Sequence, residues 1–292
     1  MLPMIATLLG GLAAGVAVGA LAWRWPAVSA PRVSPRTIID EAAEHPSVAR
    51  MLWRRIDATR VSEFALGIVL VVLAAGAVLL GMLLWMIRAN AGLAHYDLSA
   101  ARWGAAHATT ASTNAMRDIS LVGGTVGSIA IALVVAAIAS RRLPARSVVA
   151  FLATVMIGQN LLFNVIKFVV DRTRPNIDRL TGFSGSSFPS GHATTTAATL
   201  AACALLLGYG RGRITRAALT GIAAGVAVAV AESRVFLGVH WVTDVVAGLI
   251  LGWTWFAVVS IAFGGRLVRF SEPVEAAQRV VETVPAGTPA PR

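Results

Sequence analysis

Charged residues are scarce in this 292-residue sequence: Asp, Glu, Lys and Arg make up 13%, whereas hydrophobic residues make up 57% and the mean hydropathy is +0.73. A water-soluble domain usually carries about 25% charged residues, because it must cover its surface. The composition therefore excludes an ordinary soluble enzyme and predicts a polytopic membrane protein.

Cysteine and lysine are also nearly missing. The single cysteine, Cys203, excludes an intrachain disulfide, and Lys167 is the only lysine among mostly arginine cations. The net charge of +11 raises the question of nucleic acid binding. However, the cations lie mainly between apolar runs, where they orient membrane helices. Anionic lipid headgroups are therefore the expected partner of this charge, and nucleic acid is not.

Long apolar runs are abundant, and crossing the hydrocarbon of a bilayer needs about 20 residues. The sequence predicts spans over 1–23, 64–87, 119–139, 148–170, 193–207, 216–231 and 242–263. The predicted fold class is all-α, a polytopic membrane helical bundle with a six-span core and one extra N-terminal transmembrane helix. Glycines at four-residue spacing predict close helix packing at Gly11, Gly15, Gly19, Gly123, Gly127, Gly221 and Gly225.

The predicted organisation has four parts. Residues 1–25 form the extra helix, 26–63 a cytoplasmic linker, 64–265 the six-span core and 266–292 a disordered cytoplasmic tail. The linker contains one helix that begins at Ser34-Pro35. Cleavage of a signal peptide after Ala30 is the alternative for the first run, but no positive charge precedes it, which favours an uncleaved helix.

Arginine clusters set the predicted orientation. They precede the second span, separate the third from the fourth and the fifth from the sixth, and follow the last. Alternation places all four clusters on one side, which the positive-inside rule makes the cytoplasm. The segments 88–118, 171–192 and 232–241 then face the periplasmic or extracellular side of the cell (inner) membrane. We expect the first of these to contain an amphipathic helix on the membrane surface, with a lipid entry gate as the alternative.

Three segments on that outer side carry reactive side chains. In the first, Lys167 precedes Arg174-Pro175 by seven residues, so both cations share one face if the helix continues. A lysine inside a membrane helix is costly and indicates a site, although snorkelling to the headgroups is the alternative.

The second segment is Pro189-Ser190-Gly191-His192, which precedes an apolar helix whose N–H groups could bind an anion; a plain helix cap is the alternative. In the third, Ser233-Arg234 precedes His240, and Asp244 follows one turn later. That carboxylate could orient the imidazole and leave its other nitrogen free, although a purely structural pair is also consistent with the spacing.

Together, the three segments supply three cations, two imidazoles and an N–H nest. This set is suited to phosphoryl transfer, with no cofactor expected, and the outer face lacks a clustered Asp/Glu/His set for a metal. The combined motif resembles that of the type-2 phosphatidic acid phosphatases, which share their site with vanadium haloperoxidases. The resemblance covers about 64–265, and every motif position is present.

The resemblance implies a role for each motif residue. His240 would be the nucleophile that becomes phosphohistidine, Asp244 its orienting partner, and His192 the general acid and then base. The residues expected to bind phosphate are Lys167, Arg174, Ser190, Gly191 and Arg234. Resemblance to bacterial members implies a lipid phosphatase acting on a polyprenyl diphosphate such as undecaprenyl diphosphate, with phosphatidic acid or phosphatidylglycerol phosphate as alternatives.

Two other functions stay open at this point, a haloperoxidase and a non-catalytic lipid-phosphate binder or transporter. The multiple membrane spans argue against the first, and the intact histidines argue against the second. The sequence does not indicate the oligomeric state. The remaining polar residues are expected to border the site without catalytic roles (Asp171, Arg172, Glu232) or to form interhelical hydrogen bonds (Gln159, Asn160, Asn164).

Overall fold

The computed structural model describes residues 1–24, 58–177, 179–182 and 185–267, and it contains helices and loops over these residues. The helices are α1 (Leu2–Arg24), α2 (Ala58–Ala89), a 3₁₀ turn (Gly92–Tyr96), α3 (Asp97–Ala106), α4 (Thr110–Val122), α5 (Thr125–Ala139), α6 (Ala145–Val170), α7 (Gly191–Gly208), α8 (Arg213–Phe236) and α9 (Val242–Leu267). Six of them are long and apolar enough to cross a membrane, and α4 with α5 passes the same test as a bent pair. The predicted all-α membrane bundle is confirmed.

The third predicted span differs from a straight helix over 119–139. It consists of α4 and α5, which meet at a 50° bend, and α4 begins at Thr110, inside the expected surface segment. The break falls at Gly123 and Gly124, since consecutive glycines weaken a helix. Gly123 packs so closely that an added Cβ would lie 2.6 Å from Val230 Cγ1 and 3.1 Å from the His192 carbonyl. The bend therefore fits the first turn of α7.

Several helices are longer than the apolar runs suggested. Helices α7 and α8 extend beyond 193–207 and 216–231 because polar ends that blurred the sequence pattern are helical. Helix α2 begins at Ala58, six residues before the predicted start, so the end of the expected linker is helical. The predicted linker helix, the candidate cleavage site and the tail beyond 267 lie outside the described residues.

Small residues bring α9 against α7. A Cβ added to Gly248 would lie 2.6 Å from the Ser190 carbonyl oxygen, and one added to Gly252 would lie 2.5 Å from that of Thr194. Only glycine permits this approach. The contact fixes the beginning of α9 beside the beginning of α7.

Helix α1 packs on α8 through glycines on both helices. A Cβ on Gly15 would lie 2.9 Å from the Gly221 carbonyl oxygen, and one on Gly225 would lie 2.6 Å from that of Gly11. The predicted small-residue contact is thereby confirmed for these two helices. Both belong to the compact unit of Met1–Pro26 and Val72–Ser260, which also contains all the predicted site residues.

Candidate active site

The first motif reaches the site through a loop and not through a continuous helix. Helix α6 ends at Val170, and Asp171 adopts a left-handed conformation (φ 40°, ψ 50°). Arg174 therefore does not extend the α6 face that carries Lys167, and the sequence-based reason for their proximity was wrong. The two cations still converge, because Lys167 Nζ and Arg174 Nη2 both donate to the Ser186 carbonyl oxygen, the latter over 3.1 Å.

Arg174 also holds the nucleophile candidate. Its Nη1 lies 2.7 Å from the Val239 carbonyl oxygen and 3.2 Å from His240 Nε2, while its Nε donates to the Gly185 carbonyl oxygen over 2.9 Å. A guanidinium can only donate, so Nε2 is the acceptor in this contact. The His240 proton is accordingly assigned to Nδ1, on the opposite edge of the ring.

His240 and Asp244 are buried neighbours. Nδ1 of His240 lies 3.5 Å from Asp244 Oδ2, but its geometry falls short of a hydrogen bond with any described group. The same carboxylate oxygen accepts from Ser187 Oγ and, over 2.9 Å, from the Trp241 N–H. Burial lowers the pKa of His240 to about 4, against the opposing effect of Asp244, so the ring is neutral at physiological pH.

A second set of residues lies behind His240, and of these the sequence indicated only Arg172, as a residue that borders the site. Arg172 Nη1 donates to Asp244 Oδ1 over 2.6 Å, and its Nη2 donates to Asp97 Oδ2 over 2.8 Å. Asp97 also accepts from the Thr243 N–H and hydroxyl over 3.0 and 2.7 Å. No spacing rule joins Asp97 to Thr243, 146 positions later. The one feature of the sequence that could have indicated this contact is the acidic side chain of Asp97 in the predicted outer segment.

The Pro-Ser-Gly-His motif begins α7, with Ser190 as the N-cap residue. The preceding loop is anchored by Phe188, which is fully buried against Leu83 and Ala247. The Ser190 N–H donates to the Asp244 carbonyl oxygen over 3.0 Å, whereas its buried hydroxyl has no partner among the described residues. The first N–H groups of a helix lack intrahelical acceptors, so this turn offers donors to an anion.

Arg234 is a buried cation near the end of α8. Its Nη1 donates to Ser120 Oγ over 2.6 Å, and its Nε has no partner within the described part of the chain. The Arg234 carbonyl oxygen accepts from the N–H groups of Val239 and His240 over 3.2 and 3.3 Å. The main chain thus folds back after α8 and places His240 beside this arginine.

These side chains meet around one cavity of about 840 Å³. It is lined by six of the predicted site residues: Lys167, Arg174, Gly191, His192, Arg234 and His240. The other two predicted residues lie behind this lining. Ser190 is next to it at the start of α7, and Asp244 is next to it through His240. The lining also includes Asn160, Phe163, Asn164, Phe168 and Thr195, residues that the motifs did not indicate.

Comparison with known proteins gives consistent results. Residues 148–267 match the PAP2 superfamily, which confirms the family resemblance that the motifs indicated. A lipid A 1-phosphatase of Rhizobium etli is 36% identical over 38% of this chain and 48% of that protein. Phosphatidylglycerophosphatase B of Bacillus subtilis is 39% identical over 38% of this chain and 56% of that protein. The chain therefore spans about half the length of these curated relatives.

A solved structure extends the likeness beyond that segment. It is the crystal structure of a transmembrane PAP2-type phosphatidylglycerolphosphate phosphatase from Bacillus subtilis, with a TM-score of 0.62 and 27% sequence identity. The match covers 68% of this chain and 98% of that one. The two chains share most of the membrane bundle.

Proposed function

We propose that this chain, whose residues 148–267 match the PAP2 superfamily, is an integral membrane phosphatase that removes phosphate from a lipid phosphate or diphosphate. The observation that carries the proposal is the shared cavity around which Lys167, Arg174, His192, Arg234 and His240 meet. Cations, imidazoles and a helix N-terminus at one point are the groups that phosphoryl transfer needs.

The charges favour a phosphate in this cavity. Lys167 and Arg234 form no ion pair within the described residues, and each donates to a neutral oxygen. The Ser190 hydroxyl and Arg234 Nε are buried donors without partners in the same part of the chain. Phosphate oxygens would accept from both groups and from the first N–H groups of α7, which removes the cost of leaving them unpaired.

The proposed reaction has two steps. His240 Nε2 attacks phosphorus, the bond from phosphorus to the lipid oxygen breaks, and His192 gives that oxygen a proton. His192 then takes a proton from water, whose oxygen attacks the phosphohistidine, and inorganic phosphate leaves with His240 restored. Arg174 contacts Nε2 over 3.2 Å and would move its donor to the phosphoryl oxygens. Asp244 stabilises the positive charge that develops on the His240 ring.

A lipid is the proposed substrate because the cavity lies at the ends of membrane-spanning helices. The two curated relatives are named for lipid A and for phosphatidylglycerophosphate, both lipids. The arginine-rich connections lie at the other ends of these helices, so we place the site at the periplasmic or extracellular face of the inner membrane. Undecaprenyl diphosphate, phosphatidic acid and phosphatidylglycerol phosphate are the candidate substrates.

Phosphate release from these three lipids by the purified protein in detergent tests the proposal. We expect turnover to persist in EDTA, because the proposed steps use no metal ion. His240→Ala should reduce release to the background rate, with the folded state checked by thermal unfolding. Strict dependence on a divalent cation would contradict the mechanism. Equal background rates for the native protein and His240→Ala would instead favour a lipid-phosphate binder or transporter.

A further inference from the structure

The cavity extends past the phosphate-binding groups along α6. Asn160, Asn164 and Lys167 succeed one another at spacings of four and three residues, which places them on one helix face, and all three line the cavity. At a rise of 1.5 Å per residue, Asn164 lies about 4.5 Å and Asn160 about 10.5 Å from Lys167 along the helix axis. A group attached to the bound phosphate would meet these amides first.

The two amides satisfy each other only in part. Asn164 Nδ2 donates to Asn160 Oδ1 over 3.0 Å and to the Asn160 carbonyl oxygen over 2.8 Å. Within the described residues, Asn160 Nδ2 and Asn164 Oδ1 have no partner. The expectation of interhelical bonds holds for Gln159, which pairs with Thr195 Oγ1 over 3.2 Å, but not for these two. They present one donor group and one acceptor to the cavity.

Unpaired amides inside a membrane-spanning helix are costly unless a ligand or water satisfies them. A hydroxyl group both donates and accepts, so a hydroxylated headgroup can pair with both amides. In a polyprenyl diphosphate the group that carries the cleaved phosphate is a second phosphate, which can accept from Asn160 Nδ2 but has no hydroxyl group to donate to Asn164 Oδ1. The cavity therefore distinguishes lipid phosphates by the chemical group that carries the phosphate.

Apolar side chains complete the lining beside the amides. Phe163 and Phe168 lie on the same helix and border the same cavity, and the Phe168 side chain is 88% exposed. These rings are suited to the hydrocarbon part of an amphiphile, whereas the asparagines are suited to its polar linker. The order along α6 from Lys167 to Asn160 is thus phosphate first and hydroxylated linker second.

We infer that Asn160 and Asn164 form a headgroup subsite that selects lipids whose phosphate is carried by a hydroxylated group, either glycerol or a sugar. The inference rests on the proposed function. It differs from the sequence-based preference for undecaprenyl diphosphate, because neither the inner phosphate nor the isoprenoid chain of that lipid donates a hydrogen bond to Asn164 Oδ1.

The test compares phosphatidylglycerol phosphate with phosphatidic acid of the same acyl chains. These lipids differ by a glycerol phosphate unit, so the terminal phosphate of the first is carried by a glycerol with a free hydroxyl group, and the asparagine variants separate the effect of that hydroxyl from the effect of the added phosphodiester. Lipid A serves as the sugar-bearing substrate, and undecaprenyl diphosphate as the isoprenoid one. The native chain should show a kcat/KM for phosphatidylglycerol phosphate at least about tenfold above that for phosphatidic acid, the value of one hydrogen bond to a group that is otherwise unpaired. A higher value for lipid A than for phosphatidylglycerol phosphate would assign the subsite to sugars.

Asn164→Leu and Asn160→Leu should each lower the ratio of the two kcat/KM values about tenfold. Val165→Leu is the matched control, since it places the same side chain one position along on an exposed face outside the cavity lining, and its ratio should equal the native one. An unchanged ratio in both asparagine variants, or a native preference for phosphatidic acid or undecaprenyl diphosphate, would overturn the subsite. Absence of hydrolysis of every lipid by folded native protein would instead contradict the proposed function itself.

Discussion

Arg172 and Asp244 form a short ion pair behind the proposed nucleophile, with Nη1 of the arginine 2.6 Å from Oδ1 of the fully buried aspartate. The same guanidinium reaches Asp97 over 2.8 Å, so a residue that begins α3 supports the carboxylate beside His240. The orientation of the proposed nucleophile therefore depends on a side chain remote from it in sequence.

Arg172→Gln should lower kcat about 10- to 100-fold with a smaller effect on KM, the range found when the hydrogen-bond partner behind a metal-binding side chain is removed. The substitution leaves two buried carboxylates without their cation, which also destabilises the fold. Steady-state kinetics and thermal unfolding measure the two effects. Arg172→Lys, which keeps the charge, should recover part of kcat, and native kcat in Arg172→Gln would show that Asp244 needs no such support.

His192→Ala should slow hydrolysis of a natural lipid about 10²- to 10⁴-fold, since it removes the group that protonates the departing oxygen. With p-nitrophenyl phosphate, whose leaving group needs no proton, the first step should proceed and the second should not. Phosphohistidine would then accumulate and could be measured with ³²P-labelled substrate after alkaline quenching. Failure of any labelled protein to appear would argue against the two roles assigned to His192.

Lys167→Ala and Arg174→Ala should each lower kcat/KM about 10²- to 10³-fold, because each removes a charged donor to the phosphoryl oxygens. Phosphate release assays at subsaturating lipid measure this value directly. Arg141→Ala, in the exposed connection between α5 and α6, is the control for loss of a positive charge, and its rate should equal the native one. Native rates in both site variants would remove these cations from the site.

Gly248→Ala should reduce activity and the temperature of thermal unfolding together. Its Cβ would lie 2.6 Å from the Ser190 carbonyl oxygen, so α9 must move away from the start of α7. Gly81→Ala is the matched control, because a Cβ there meets nothing within 4 Å and alanine favours the helix. Equal activity of the two variants would mean that the site tolerates separation of α7 from α9.

The pKa of His240 predicts where the nucleophile loses its lone pair. Because burial lowers this pKa to about 4, the ring should stay neutral on acidification well below its ordinary value of 6.5 and become protonated only near pH 4. A ¹⁵N NMR titration of histidine-labelled protein can follow this, since the chain has five histidines and His240→Gln identifies the signal. A midpoint of 6 or above would show that the ring is solvated.

The sequence predicted the bundle and the cavity lining well because both depend on local patterns. Apolar runs identify spans one at a time, and the three motifs fall at span ends that alternation brings to one side. The same alternation placed Lys167, His192 and His240 together without any knowledge of the loops. Their convergence was therefore accessible from composition, spacing and connectivity.

The missed features depend on contacts between distant segments. The left-handed residue Asp171 ends α6 before Arg174, and no helix-breaking residue marks that position. The role of Asp97 follows from its contacts with Arg172 and Thr243, which are distant from it in the sequence and adjacent to it in the fold. The sequence likewise predicted a close helix contact at Gly123, but it did not predict that two helices meet there at a bend.

Helix α1 also acts as a cover for an acidic group. Glu232 Oε1 lies where a methyl group on Gly10 would be, with the added Cβ only 2.2 Å away, and Glu232 Oε2 has no hydrogen-bond partner among the described residues. Without α1, this carboxyl group would lose its cover near the end of α8, and the glycine-lined groove on α8 would be unfilled. A truncated chain that begins after α1 would thus change the surroundings of a buried acidic side chain as well as the packing of the bundle.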